Sequence, residues 1–263
     1  MDWIEIDKVG LRYDLTGVGD DTLVLIHEMG GTLESWDFVL PLLSGRRAVL
    51  RYDTRGAGQS SKLRGTAPFD AMADDILALL DATDRRGAAT VVGCAVGGAI
   101  ALHFAARHPH RARALVALGP ATGVPEERRP AILEQADRTE RMGMAAVAED
   151  SLGRSYPEAL RGDGERFRRF RARWLANDPG SYVAIHRMLA GLEMRAEIAA
   201  LRLPAMFLAG TLDPLRPPAA TEPIAGTVPG ARFEAIESGH FSPTQTPEIV
   251  ADRLNAFLTA TGG

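Results

Sequence analysis

Three stretches of the chain hold side chains whose types and order could carry out acyl transfer. The first is GCAVGG, Gly93 to Gly98, placed between a β-rich run and a helical one. A nucleophile elbow, G-x-Ser-x-G, needs that context: the nucleophile sits on a strained strand-to-helix turn, flanked by small residues because the backbones pack closely. Here the middle position is Ala95, and a methyl group cannot attack a carbonyl. The second stretch, AGTLDPLRPP, places Asp213 just beyond a later strand pattern, and the third, ESGHFSPTQTPE, places His240 just beyond the next. Alone, an Asp after a strand is a common turn residue and a single His is commonly structural. Together, in the order nucleophile, acid, histidine and each at a strand's C-terminal end, Ala95, Asp213 and His240 read as a catalytic-triad scaffold.

The elements that must position these residues alternate. Two short β patterns, WIEID and LRYDL, open the chain, followed by the apolar run TLVLIH (Thr22 to His27) of a strand buried on both faces. A helical pattern is expected from Leu33 to about Leu43, a strand over AVLRYD (Ala48 to Asp53), and a helix from Phe69 to about Thr83. The strand TVVGC, the helix from Gly97 to His108 and the strand ALVALG (Ala114 to Gly119) follow. From Thr122 to Arg195 the chain reads as helix after helix, and strands resume at PAMFLAG and ARFEAIE before a last helix from about Pro247 to Leu258. Such alternation predicts an α/β fold, a mostly parallel eight-stranded sheet flanked by helices. The division expected is a core of residues 1–120 and 196–263 with a helical lid, residues 121–195, over the strand ends where such sheets bind ligands.

Composition narrows the classes. Apolar residues are 46% and charged residues 24% of 263, the balance of a soluble globular protein. A net charge of -4 without a basic block argues against nucleic acid and anionic membrane as partners. Residues Ala88 to Ala106 lack Asp, Glu, Lys and Arg over about the length of a membrane span, but the central Gly93, Gly97 and Gly98 favour a buried strand turning into a buried helix. With no signal-peptide pattern at MDWIEIDKVG and one cysteine, Cys94, the expectation is cytoplasmic with no disulfide. Arginine far outnumbers lysine (Lys8 and Lys62 alone), which fits a GC-rich bacterial genome. No cofactor or metal is expected: RGAGQS lacks the helix register of a dinucleotide fingerprint, and His27 and Glu28 are adjacent at a strand end rather than spaced on a helix. The expected partner is a small-molecule substrate, and the expected state a monomer or homodimer.

LIHEMGG, RYDTRGAGQS, VVGCAVGGAIAL, LAGTLDPLRPP and SGHFSP together resemble the α/β-hydrolase superfamily over nearly everything but the insertion. Within it the chain most resembles the small 3-oxoadipate enol-lactonase-like hydrolases and their relatives, which act on esters, lactones, amides or C–C bonds. The resemblance implies an oxyanion hole from the backbone N–H groups of Met29 and Val96, in a loop begun by His27. Substrate contacts are expected around that loop, the lid and the histidine, at Glu28, Gly30, Trp174 and Phe241. Asp53 and Arg55 match a structural loop.

Two departures from the family pattern matter. Glu28 stands where glycine is usual, and either points away to pair with an Arg or hydrogen-bonds a substrate group or water. Ala95 leaves three readings: a Ser→Ala change in an intact hydrolase that holds substrate without turnover, a ligand-binding pseudohydrolase, or takeover by Cys94. A fourth use of the scaffold is a C–C hydrolase or cofactor-free lyase with His240 as base. Takeover is disfavoured because neighbouring strand side chains face opposite ways. In the lid, RGDGERFRRFRARW (Arg161 to Trp174) carries six Arg against two acids, which suggests an anionic, carboxylate-bearing substrate or, alternatively, a solvated Arg face backed by aromatics. Over Glu126 to Arg195, 13 Arg stand against 12 Asp plus Glu, so the lid is nearly neutral. His186 is expected to be packed or at the surface rather than catalytic.

Overall fold

The computed structural model describes residues 1–262. Eight strands form one sheet: β1 (Asp2–Ile6), β2 (Val9–Thr16), β3 (Thr22–Ile26), β4 (Ala48–Tyr52), β5 (Ala89–Cys94), β6 (Ala112–Leu118), β7 (Ala205–Gly210) and β8 (Arg232–Ile236). Their order is β1-β2-β4-β3-β5-β6-β7-β8. The first two pairings, β1 with β2 and β2 with β4, are antiparallel, and the rest are parallel. Every residue of β3, β4, β5 and β7 is buried, as expected of strands covered on both faces. The registers Ile26↔Gly93, Cys94↔Leu118 and Gly210↔Ile236 bring the C-terminal ends of the central strands to one edge.

The helices are α1 (Phe69–Ala82), α2 (Val96–Arg107), α3 (Arg129–Met142), α4 (Ala148–Ser155), α5 (Gly164–Leu175), α6 (Pro179–Gly191), α7 (Arg195–Ala200), α8 (Pro218–Ala225), α9 (Ser242–Gln245) and α10 (Pro247–Ala260). Ile76, Leu79, Phe104, Ile198 and Ala225 from α1, α2, α7 and α8 pack on one face of the sheet. Leu254 and Phe257 of α10 pack with Trp36 and Val92 on the other. The helix expected from Leu33 to about Leu43 is instead two short 3₁₀ turns, Leu33–Trp36 and Leu40–Leu42. Pro41, which has no N–H to donate, sits where the ladder would continue. The stretch free of charges divides at Ala95 into β5 and α2, and no helix among the described residues is long and apolar enough to cross a membrane.

Between β6 and β7 the chain leaves the sheet for α3 to α7. Met144, Val147, Phe170, Trp174 and Tyr182 of this insertion form their own apolar cluster, which also takes in Met29 after β3 and Phe241 after β8. The ends of the part that carries α3 to α6 lie side by side, joined by an isolated antiparallel bridge between Gly123 and Glu193.

At the far side α7 is tied to α2 by His103, whose Nδ1 lies 2.8 Å from Glu197 and whose Nε2 lies 3.0 Å from Asp70 of α1. Hydrogen bonding to Glu197 holds the imidazole above its ordinary range against the lowering effect of burial, and Asp70 adds to it. A raised histidine stabilises the fold fully below its unfolded pKa, and that contribution is lost as pH rises through the folded value. His103→Gln is therefore expected to lower the melting temperature by ~2–4 °C at about pH 6 and by less at about pH 9. Melting curves at the two pH values check this; an equal loss at both would show that charge is not what the contact contributes.

Candidate active site

Ala95 occupies the turn between β5 and α2 with φ 52° and ψ −113°. A side chain in this region costs of order 1–3 kcal/mol, so the surroundings must over-determine it. Three backbone hydrogen bonds do so. Ala95 N–H donates to the Leu118 carbonyl at 2.8 Å, and the Ala95 carbonyl accepts from Ala99 at 3.2 Å and Ala121 at 3.0 Å. The flanking glycines are required by contact. A Cβ on Gly93 would strike the Gly97 backbone, and one on Gly97 would strike the carbonyls of Ile26 and His27. Strand, turn and helix are thus pressed together tightly enough to hold a non-glycine residue at positive φ.

His240, in the turn after β8, faces Asp213, in the turn after β7, with Nδ1 and Oδ2 2.8 Å apart. The second carboxylate oxygen, Oδ1, accepts from the backbone N–H of Leu215 at 2.8 Å and of Arg216 at 3.1 Å. Burial alone would raise the Asp213 carboxyl, but the bond from His240 and these two amides outweigh it and hold the group below the usual carboxylate range. Ala95 and His240 line one cavity, together with Met29, Val96 and Phe241. At about 160 Å³ it exceeds by far the roughly 10–15 Å³ that a single water needs, so it has room for a small molecule.

The loop after β3 is fixed by His27. Thr54 N–H donates to its Nε2 at 3.0 Å, which leaves the ring proton on Nδ1 to donate to the Glu28 carbonyl at 2.7 Å. Val96 is the first residue of α2, so its N–H is one of the helix-start donors without an intrahelical acceptor. Asp53 accepts from Leu33 and Gln59 backbone amides, and Arg55 pairs with Asp75 at 2.6 Å. Both hold the loops beneath the site rather than reaching into it.

Several expected substrate contacts lie elsewhere. Glu28 is wholly buried and away from the cavity; its Oε1 accepts from Ser35 Oγ at 2.8 Å, and no Arg pairs with it. The carboxylate is tucked against Gly31, where any Cβ would collide with it, so the loop turns it inward. Trp174 and Gly30 are not cavity walls either. The indole packs against Gly30, so close that a Cβ there would sit 2.7 Å from the ring, and it belongs to the insertion's apolar cluster. Gly30 lines a smaller neighbouring cleft with Thr54 and Asn177. Cys94 points to the sheet flank, with Sγ 3.4 Å from the His240 carbonyl rather than the imidazole. Burial, with Glu28 and Asp213 nearby, pushes its thiol well above the ordinary value, so it supplies no thiolate.

The basic stretch Arg161 to Trp174 does not face the cavity. Arg166, Arg168 and Arg171 pair with Asp163, Glu165 and Glu149, and Arg161 lies over the Phe167 ring. Its aromatics are core: Phe170 packs on Tyr156 and Phe241. The residues sequence reasoning missed come from other helices. Arg128, Gln135, Arg154 and His186 of the insertion line the cavity, with Arg216 from the turn after β7. Only Arg216, three residues past Asp213, had a signal in its position. Among the described residues no group of three or more His, Cys, Asp or Glu converges as a metal site would.

Comparison with known proteins agrees with this architecture. The chain is 24% identical to 3-oxoadipate enol-lactonase 2 of Acinetobacter baylyi over 259 residues, covering 98% of this chain and 96% of the relative. It is 33% identical to a rhodomycin D methylesterase of Streptomyces over 93% of this chain and 94% of that one. Among solved structures, the enol-lactonase from Burkholderia xenovorans superposes with a TM-score of 0.90 at 25% identity, covering 98% of this chain and 100% of that one. The family model described as alpha/beta hydrolase fold matches residues 21–245. The chain belongs to the α/β-hydrolase-fold family.

Proposed function

We propose that the cavity is an acyl-transfer site for small esters or lactones in which Ala95 stands in the nucleophile's place, so that this chain binds substrate with little or no turnover. The observation that carries the reading is the turn at Ala95: a non-glycine residue held at φ 52° in the wall of a cavity that also contains His240, itself paired with Asp213. The relatives named as an enol-lactonase and a methylesterase support ester and lactone over other bonds.

With serine at position 95, the hydroxyl would attack the substrate carbonyl while His240 takes its proton on Nε2, since Nδ1 is engaged by Asp213. The N–H groups of Met29 and Val96 would stabilise the oxyanion, and His240 would return the proton to the leaving alcohol. Water then releases the acyl group by the same steps in reverse. The insertion acts as a lid, covering the strand ends and closing the cavity beside Phe241 and Met29.

The test is labelling by a fluorophosphonate. Ala95→Ser should become covalently labelled in a His240-dependent manner, and this chain should not. If neither form labels or turns over while an ester ligand still raises the melting temperature, the site belongs to a binding protein instead. If the Ala95 form is itself active and His240→Ala abolishes that activity, the chemistry is that of a lyase with His240 as base.

A further inference from the structure

The cavity's permanently charged side chains are all of one sign. No Asp or Glu lines it, while Arg128, Arg154 and Arg216 do. Several arginines elsewhere on the insertion are paired with acids, Arg138 with Asp150, Arg168 with Glu165, Arg171 with Glu149 and Arg187 with Glu140, but those that are not so paired, such as Arg169, do not line the cavity. The cavity arginines hold only neutral acceptors. Arg154 donates to the Asp150 carbonyl and to Gln135 Oε1, and Arg216 to the carbonyls of Leu215 and Gly123. Desolvation drives the Arg216 guanidinium below its ordinary value against the opposing attraction of Asp213, and Arg128 adds to the lowering.

His186 on α6 is the second observation. It lines the same cavity, is 7% exposed, and its Nδ1 has no hydrogen-bond partner. Burial, then the nearby Arg154, lowers it to about 4, so the ring is neutral at physiological pH. A buried donor or acceptor left unpaired is costly, and a ligand that pairs it recovers that cost. A planar carboxylate suits this setting: two oxygens can accept from a guanidinium fork and from an imidazole N–H together.

We infer that the insertion carries a carboxylate subsite, built from Arg154 and His186 with Arg128 adding to the field. A substrate would be anchored there by an acid group distinct from the ester or lactone carbonyl presented at Ala95. The apolar walls between, Ile132, Leu189 and Phe241, suit a short hydrocarbon body joining the two groups. The second half of this assignment, the carbonyl at Ala95, rests on the function proposed above; the anion subsite does not.

The experiment uses this chain as it is, with monomethyl glutarate and its neutral counterpart dimethyl glutarate titrated by calorimetry. The monoanion should bind at least tenfold more tightly, by an advantage that shrinks with added salt. Arg154→Gln should remove most of that advantage and leave the diester's affinity unchanged, which a loss of folding would not do. His186→Phe should weaken the monoanion alone. Equal affinity for the two ligands, or a monoanion preference that survives both Arg154→Gln and Arg128→Gln, overturns the subsite. A monoanion preference in a chain whose Ala95→Ser form never turns over would support the subsite while removing the hydrolase reading.

Discussion

Ala95→Ser is expected to raise turnover of a small ester or lactone by about 10⁶-fold, the scale on which removal of a serine nucleophile acts elsewhere. The expectation is this large because the substitution adds one oxygen to a backbone already in place. The turn at φ 52° is held by Leu118, Ala99 and Ala121 backbone groups and by the glycines on either side, none of which depends on the residue 95 side chain. Alanine already bears the Cβ that makes this φ costly, so serine adds little further strain. His240, its Asp213 partner and the proposed oxyanion donors are not expected to need rearrangement. The starting rate need not be zero, since oxyanion donors and binding alone can retain roughly 10³–10⁴-fold catalysis over water in enzymes that lack their nucleophile. Steady-state kinetics on both forms, with melting curves to confirm folding, measure the ratio. A folded Ala95→Ser protein no faster than its parent on any ester or lactone would remove the acyl-transfer reading.

In that serine form, Asp213→Asn is expected to lower kcat by about 10⁴-fold, with KM little changed. The size follows from the two oxygens of Asp213 having different jobs. Oδ1 accepts from the amides of Leu215 and Arg216, so an asparagine must keep its carbonyl oxygen there. Its NH₂ group would then face His240 Nδ1, which must become an acceptor. The ring proton moves to Nε2, the atom that should receive the serine proton, and the base is lost without loss of the loop. Kinetics on the double variant check this, and a melting temperature close to that of Ala95→Ser would exclude unfolding as the cause. A fall in kcat of less than about tenfold would mean that Asp213 does not set the tautomer.

How much of this was legible in the sequence varies with how local the determinant is. β3, β5 and β7 announce themselves as apolar runs because both their faces are buried. The turn at Ala95 is legible from its small neighbours, because only glycine fits the contact between β5, α2 and the carbonyls after β3. Asp213 and His240 are legible from their places just past strand patterns. Glu28 was not, since the direction of its side chain is set by the Gly31 turn and by Ser35 beneath it rather than by its own spacing. The arginines show the limit most clearly. The densest run, around Arg168, faces away from the cavity and partly pairs with Glu165 and Glu149, whereas Arg128 and Arg154 stand in unremarkable stretches and face the cavity unpaired by acids. Which arginine meets a carboxylate depends on how α3, α4 and α5 pack, and that information is spread over the whole insertion.

The bridge between Gly123 and Glu193 makes the intervening segment a cassette. Its two ends lie side by side at the bridge, before α7 carries the chain back to β7, so the bridge fixes where the segment begins and ends but neither its length nor its internal arrangement. Closing a longer or shorter segment between fixed, adjacent ends changes the entropic cost only logarithmically, by about 0.6 kcal/mol for each doubling. Arg128, Ile132, Gln135, Arg154 and His186 all lie within it, whereas Ala95, Asp213 and His240 all lie outside. The residues proposed for recognition and those proposed for chemistry therefore fall largely in separate stretches of the chain, although Met29, Arg216 and Phe241 also line the cavity from outside the segment. A recombination event that exchanged residues 124–192 for another helical segment would change what the protein accepts while leaving the turn at Ala95 and the Asp213–His240 pair on the sheet that positions them.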